Sequence, residues 1–288
     1  MPSDFSKAKM PCSLEIKMST HGDKKRRQVS PISLTQMKND GTKIVCLTAY
    51  DALMASLYGG LVDVLLVGDS VGMVRHGFSS THHVDMEMIE MHVSSCARSK
   101  GTALLVGDLP FGSVELGPDQ AIVNSIRLIR AGADAVKIEG GVKRQEIVHA
   151  VVNAGIPVMG HVGMEPQHTL MTQSFRSVGK DDGEVQAVLA DAMAVEEAGA
   201  FAVVVEAVRL GLSEQLKNKL SIPTIGIGAG PDCDGQILVA EDMLGFFKGN
   251  PKFVRRYAEL GHLVQEAVTR YADDVRSGAF PSDEESYK

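Results

Sequence analysis

The sequence predicts a (β/α)8 barrel with its chemistry at the carboxyl ends of the strands. Three observations lead there. VDVLLVGDS (62–70) is an apolar, strand-like run followed by glycine and a carboxylate, and TALLVGDLP (102–110), AVKIEGG (135–141) and FAVVVE (201–206) repeat the pattern. Strands covered on both faces by helices read as continuous apolar runs, and the residue after the run is the first to reach a site at the strand ends. An internal repeat supports the alternation: AGADAVKIE (131–139) matches AGAFAVVVE (198–206), and AGIPVMGH (154–161) is a looser copy. Each is a helix end, a glycine stop and a strand ending in a functional residue. Seven or eight such units within about 230 residues suit a barrel of typically ~250 residues. The alternative is a doubly wound sheet, but no GxGxxG follows the first strand, which tells against its dinucleotide-binding form.

Taken in order, a short helix is expected over Ser33–Lys38, entered by Ser30-Pro31 and closed by Asn39-Asp40-Gly41. KIVCLT (43–48) is the first strand, and a helix over Asp51–Tyr58 leads through Gly59-Gly60 to the second, Val62–Val67. A long polar connection (72–84) precedes a helix over Met86–Ser99, stopped by Gly101, and the third strand, Thr102–Val106. Pro118-Asp119 opens the next helix, with Ile122, Ile126 and Ile129 on one face and Gly132 at its end. The fourth strand is Ala135–Ile138, followed by a helix over Lys143–Asn153 and the fifth strand, Pro157–Met159. A polar loop (162–182) and a helix over Glu184–Ala198 lead to the sixth strand; Pro223–Ile227 and Gln236–Val239 are the seventh and eighth. A last helix over Pro251–Arg276 carries Phe253, Tyr257, Leu260, Val264, Val268, Tyr271 and Val275 at helical spacing, ended by Gly278 and Pro281.

Residues 31–282 are read as one catalytic barrel and 283–288 as a tail. Residues 1–30 are polar, carry Lys24-Lys25-Arg26-Arg27 and read as a solvated, disordered tail, with a nuclear or mitochondrial address as the alternative. They lack the apolar core of a secretory signal. A net charge of −7 argues against a nucleic-acid-binding body, and no apolar run approaches the ~18 residues that span a membrane. Cys12, Cys46, Cys96 and Cys233 lie far apart with no CxxC, which fits a reduced, cytoplasmic protein.

In a barrel, Asp69, Asp108, Glu139, His161 and Glu206 follow the second to sixth strands into one mouth, and Lys137 lies on the same side of its strand as Glu139. Clustered carboxylates need a neutralising cation, and an oxygen-rich set suits Mg²⁺, which keeps waters for substrate oxygens to displace. A divalent ion chelated by a 2-oxo acid acidifies the adjacent C–H, a carboxylate base takes the proton, and a lysine balances the charge. The residues alone therefore point to carbon–carbon bond making or breaking beside a carbonyl, without naming the substrate. Three signals are weaker. Gly226-Ile227-Gly228-Ala229-Gly230 is a phosphate loop or a close-packed turn; His82-His83 reads as solvated loop rather than metal pair; and Arg75, His76 and Lys180 are candidate anion contacts.

TAYD (48–51), LLVGDS (65–70), DLPFGS (108–113), VKIEGG (136–141), VMGHVGMEPQ (158–167), IPTIGIGAG (222–230) and CDGQILV (233–239) resemble the ketopantoate hydroxymethyltransferase family, from about Ile32 to Phe280. The resemblance implies a barrel of the phosphoenolpyruvate/pyruvate superfamily that transfers a hydroxymethyl group from 5,10-methylenetetrahydrofolate to 3-methyl-2-oxobutanoate through a Mg²⁺-stabilised enolate. The product is 2-dehydropantoate, on the route to pantothenate and coenzyme A. By motif, it implies Asp69 and Asp108 as Mg²⁺ ligands, with Glu139 completing the metal site. It further implies Asp69, Ser70, Asp108, Lys137 and His161 as substrate contacts, Glu206 as general acid/base, and a homo-oligomer, commonly a decamer. Departures from the usual pattern fall at Ser79, at Thr172–Arg176 and at Arg209, all expected at the mouth or its lid. Two other readings stand beside it: a carbon–carbon lyase of the same superfamily, disfavoured by the lack of a KKCGH-type cysteine motif, and a degenerate barrel that binds a keto acid without turning it over.

Overall fold

The structure is a computed structural model and describes residues 27–169 and 176–287. Nearly all of the expected basic tail, with Cys12, and most of the Thr172–Arg176 departure lie outside the described residues.

Eight parallel strands close into a barrel in chain order: β1 Ile44–Thr48, β2 Val64–Val67, β3 Leu104–Asp108, β4 Ala135–Glu139, β5 Val158–Gly163, β6 Ala202–Glu206, β7 Thr224–Ile227 and β8 Gly235–Leu238. Helices α1 (Pro31–Asn39), α2 (Ala52–Tyr58), α3 (Val71–Val74), α4 (Met86–Ala97), α5 (Pro118–Ala131), α6 (Gln145–Asn153), α7 (Asp182–Glu197), α8 (Leu212–Lys219), α9 (Ala240–Met243) and α10 (Leu260–Ser277) are set before, between and after them. No described helix is long and apolar enough to cross a membrane.

Period-two alternation divides the strand residues between two cores. Cys46, Val64, Leu66, Leu104, Val106, Met159, Val204, Ile225 and Ile237 point inward and fill the barrel. Leu65, Val67, Leu105, Val136, Val158, Val203 and Val205 point outward under the helices. Helix α1, capped by Ser30, whose hydroxyl accepts from Ser33 N, lays Leu34 into the inner core and closes the amino-terminal mouth. The carboxyl-terminal mouth stays open.

Acids that precede strands are structural. Asp63 Oδ2 accepts from Val45 N of β1, Asp134 Oδ2 from Leu105 N of β3, and Asp234 Oδ2 from Thr224 N of β7. Each ties the start of one strand to its neighbour at the closed end. Asp234, 5% exposed, also accepts from Thr224 Oγ1 at 2.9 Å and pairs with Lys38 Nζ at 2.8 Å. Asp234→Ala strands these donors, so urea unfolding should show a loss of about 3 kcal/mol.

The structure moves several expected boundaries. The connection 72–84 contains α3 and a 3₁₀ turn, Thr81–His83. Strand β5 runs on to Gly163, so His161 sits inside it. Helix α5 buries Ala121, Asn124, Ser125 and Leu128, and its three isoleucines flank that stripe. Helix α8 was not expected at all; LSEQLKNK offers only Leu212 and Leu216 as apolar anchors. The last helix begins at Leu260, not Pro251, because the backbone before it pairs elsewhere: Tyr257 N donates to Met243 O, Leu260 N to Leu244 O and Gly261 N to Gly245 O. Helix α10 buries none of its residues, leaving Leu263, Val264, Val268, Tyr271 and Val275 46–59% exposed. The cysteines Cys46, Cys96 and Cys233 are free and buried.

Candidate active site

A cleft of about 950 Å³ opens at the carboxyl-terminal mouth, and Asp69, Ser70, Asp108, Lys137, Glu139, His161 and Glu206 all line it. Asp108, Glu139 and Glu206 are the last residues of β3, β4 and β6, and Asp69 follows β2 by two residues. Parallel register sets their order: Asp108 lies beside Lys137, Glu139 beside His161, and Gly163 beside Glu206.

Asp69 and Asp108 form the buried carboxylate pair, 6% and 1% exposed, with Asp69 N donating to Asp108 Oδ2 at 3.3 Å. Burial, then the charge of Asp108, pushes the Asp69 carboxyl well above its ordinary range, against the pull of Lys137. Lys137 Nζ lies 2.5 Å from Asp108 Oδ1. Burial alone would lower its pKa, but Asp108, Asp69 and Glu139 outweigh that and hold it raised and charged.

His161 bridges Glu139 and Glu206, with Nδ1 3.4 Å from Glu139 Oε2 and Nε2 3.1 Å from Glu206 Oε2. Burial opposes its charge, yet the two carboxylates push its pKa up to about 10. Neither contact has hydrogen-bond alignment, so both ring nitrogens keep donor capacity. Burial likewise works against the Glu139 carboxylate, and His161 and His168 more than offset it, drawing its pKa down to about 2. Ser70 Oγ shares a 2.8 Å hydrogen bond with the buried Tyr50 hydroxyl, which aims it from the start of α3.

Glu206 sits at a constrained corner. Ala207, next to it, has φ +49°, the one positive value at a non-glycine among the described residues, and such strain persists only where its surroundings enforce it. Here they do: Ala207 N donates to Ile227 O and its carbonyl accepts from Val178 N. Gly163, at φ +103°, meets the same corner, and a Cβ there would come within 2.4 Å of Glu206 O.

Several residues of the site escaped the sequence reading. Gln167 ties two carboxylates together: its Nε2 donates to Asp69 Oδ2 at 2.9 Å and Leu109 O at 3.1 Å, and its backbone N donates to Glu139 Oε1 at 2.8 Å. His82, expected in a solvated loop, instead donates from Nε2 to Gln167 O at 2.9 Å. Arg75, a candidate anion contact, is taken by Glu241 at 2.7 Å and Asp51 at 3.5 Å. His76 lies 3.0 Å from His92. The glycine turn after β7 is the close-packed kind: a Cβ on Gly228 (φ +62°) would meet the Phe253 ring at 2.9 Å, and one on Gly230 would meet Leu210 at 2.7 Å.

The donor set fits a hard cation. Asp69 and Asp108 offer buried oxygens whose repulsion Lys137 alone answers at close range, the situation a divalent ion relieves. Glu139 also belongs to a second grouping with Glu165 and His168, whose donor atoms lie within 4.8 Å of one another. Glu139 thus borders both sets.

The model of the family described as ketopantoate hydroxymethyltransferase matches residues 28–283. A Bartonella bacilliformis protein named 3-methyl-2-oxobutanoate hydroxymethyltransferase is 48% identical over 272 residues, 94% of this chain and 99% of that protein. One of the same name from Hyperthermus butylicus is 46% identical over 259 residues, 90% of each. Among solved structures, 2,3-dimethylmalate lyase, described as a PEP mutase/isocitrate lyase superfamily member, superposes with a TM-score of 0.59 at 15% identity, covering 91% of this chain and 90% of its own. Phosphonopyruvate hydrolase with oxalate and Mg²⁺ does so at 0.55 and 16%, covering 90% and 93%. At such identities the structural likeness speaks to the fold alone.

Proposed function

The chain belongs to the ketopantoate hydroxymethyltransferase family, and from that membership we propose that it converts 3-methyl-2-oxobutanoate to 2-dehydropantoate. The one-carbon donor in this reading is 5,10-methylenetetrahydrofolate, and one water is consumed as tetrahydrofolate leaves. The observation that carries it is the meeting, in one mouth, of a buried carboxylate pair, a charged lysine and a separate carboxylate at the cleft.

Asp69 and Asp108 would hold Mg²⁺, with Glu139 nearby. Bound there, the ion would polarise the keto acid's oxygens and acidify its C3–H. Ser70 and Lys137 bind the carboxylate and keto oxygens, and Lys137 balances the charge that grows on the latter as the proton leaves. Glu206 takes the C3 proton onto a carboxylate oxygen. His161, charged between Glu139 and Glu206, holds Glu206 in place and offers a donor toward substrate. The C3 carbanion equivalent then forms the new carbon–carbon bond with the folate-borne methylene as one of its two C–N bonds opens, and water replaces the second C–N bond, giving the hydroxyl and releasing tetrahydrofolate.

The test is exchange of the C3 proton of 3-methyl-2-oxobutanoate in D₂O, followed by NMR without any folate. Exchange that needs Mg²⁺ and stops with EDTA supports the enolising half-reaction. No exchange with Mg²⁺ present moves the protein to another substrate or to a barrel that only binds.

The chain is also proposed to self-associate. The exposed apolar stripe of α10 supports this, as does Val45 on the outer face of β1, 49% exposed where a barrel's helices normally cover the strands. Val268→Glu should shift sedimentation velocity toward smaller species; an unchanged profile removes α10 from the interface.

A further inference from the structure

At about 950 Å³ the cleft is near the top of the roughly 300–1,000 Å³ range of pockets that enclose drug-sized ligands. A five-carbon acid occupies little of that. The polar groups that bind such an acid are gathered on the side of β2 to β6. The opposite wall is built differently, from α9 and the irregular segment before α10, where Asp242, Phe247, Lys252 and Phe253 face the cleft. Phe247 and Phe253 are 39% and 43% exposed. Phe253 is held in place by close packing over Gly228.

Asp242 is the unusual member of this wall. Five carboxylates line the cleft, and four are engaged: Asp69 by Gln167, Asp108 by Lys137, Glu139 by Gln167 and Glu206 by His161. The Asp242 side chain is half-buried and has no hydrogen bond with any described residue, although its backbone carbonyl accepts from Asn250 Nδ2. The nearest cation in charge terms, Arg256, is committed to Glu259, Phe247 O and Asn250 Oδ1. Burial pushes the Asp242 carboxyl above its ordinary range, and Arg256 only partly offsets this. A half-buried acceptor pair without a donor, on a wall that also carries two exposed aromatic rings, asks for a flat ligand with two adjacent N–H groups.

We propose that this wall is the pterin subsite, in which Asp242 accepts the N3–H and 2-amino hydrogens of a reduced pterin while Phe247 and Phe253 pack against its rings. The assignment rests on the reading that the donor is a reduced folate, and it says where that donor lies. A carboxylate presents two coplanar acceptors to the two parallel donors of a 2-amino-4-oxopyrimidine edge, the geometry that makes bidentate pairs strong and selective. Aromatic faces favour a heteroaromatic ring in offset or edge contact. Lys252, adjacent to Phe253, supplies positive charge for the carboxylates of the donor's glutamate tail. The pterin then lies across the cleft from Glu206, with the methylene-bearing edge toward the keto acid.

Isothermal titration of the full-length protein, anaerobically and with Mg²⁺ and 3-methyl-2-oxobutanoate present, tests this with three probes: tetrahydropterin, its 2-desamino-2-methyl analogue and p-aminobenzoylglutamate. Wild type should bind tetrahydropterin at least about tenfold more tightly than the analogue, the scale of losing a charge-assisted hydrogen bond. Asp242→Asn should weaken tetrahydropterin by about tenfold or more, because the amide turns one acceptor into a donor. Its affinity for p-aminobenzoylglutamate should change less than about twofold. Equal wild-type binding of the two pterins, or undiminished tetrahydropterin binding by Asp242→Asn, overturns the subsite. Should that variant not fold, the comparison of pterins on wild type decides alone. A wild type that exchanges the keto-acid proton but binds neither tetrahydropterin nor tetrahydrofolate removes the folate reading itself, and this proposal with it.

Discussion

Glu206→Gln is expected to slow C3-proton exchange of 3-methyl-2-oxobutanoate by about 10²–10⁴-fold, the usual contribution of a positioned general base. Of the carboxylates on the β2–β6 side, Asp69 and Asp108 are buried against each other and Lys137, and Glu139 is drawn down to about 2 between histidines. Glu206, with its side chain 15% exposed, is the one that reaches the cleft with an oxygen to spare. Glutamine has nearly the same shape and keeps an oxygen toward His161, so the variant's affinity for the keto acid should stay within a few-fold while exchange is lost. His161 is a poor replacement base: in the wild type two carboxylates push its pKa up to about 10, and in the variant Glu139 still raises it. NMR exchange rates in D₂O beside keto-acid titrations read both quantities. Exchange at the wild-type rate would place the base elsewhere.

Lys137→Met should be the most damaging change at the site to stability as well as rate. Methionine fills similar space, but Asp108 and Asp69 lose the cation 2.5 Å from Asp108 Oδ1. An uncompensated buried charge costs about 3–5 kcal/mol, so urea unfolding in EDTA should fall by that amount. Mg²⁺ bound at the proposed carboxylate site should restore part of the loss, in proportion to the logarithm of its concentration over its dissociation constant. Turnover should stay depressed by about 10²-fold or more, since in the proposed mechanism Mg²⁺ does not replace Lys137 as donor to the developing charge. Unchanged stability of the variant in EDTA would mean the carboxylate pair is neutralised by something other than Lys137.

The barrel and the strand-end acids were legible in the sequence because both are local: an apolar run, a glycine and an acid lie within nine residues of each other in VDVLLVGDS. Parallel register then brings the acids together without further instruction. What escaped depends on distant pairing. Gln167 meets Asp69 across 98 residues and His82 across 85, and nothing near any of them in the chain announces it. Phe253 and Tyr257 fit a helical period, yet the backbone hydrogen bonds from Tyr257, Leu260 and Gly261 to residues 243–245 outbid it and bring Phe253 over the cleft. Asp63, Asp134 and Asp234 look like the strand-end acids in composition; only their place before rather than after a strand separates them.

That separation has a consequence for how such a protein changes over time. Strand-start acids at the closed end hold neighbouring strands in register, and strand-end acids at the open end line the cleft. The two sets sit at opposite ends of shared strands, so substitutions at the mouth leave the clamps intact. A lineage can therefore exchange one substrate for another by altering the rim while its scaffold is inherited whole. A library randomised only at the rim should retain a high proportion of folded members, and one randomised at Asp63, Asp134 and Asp234 should not.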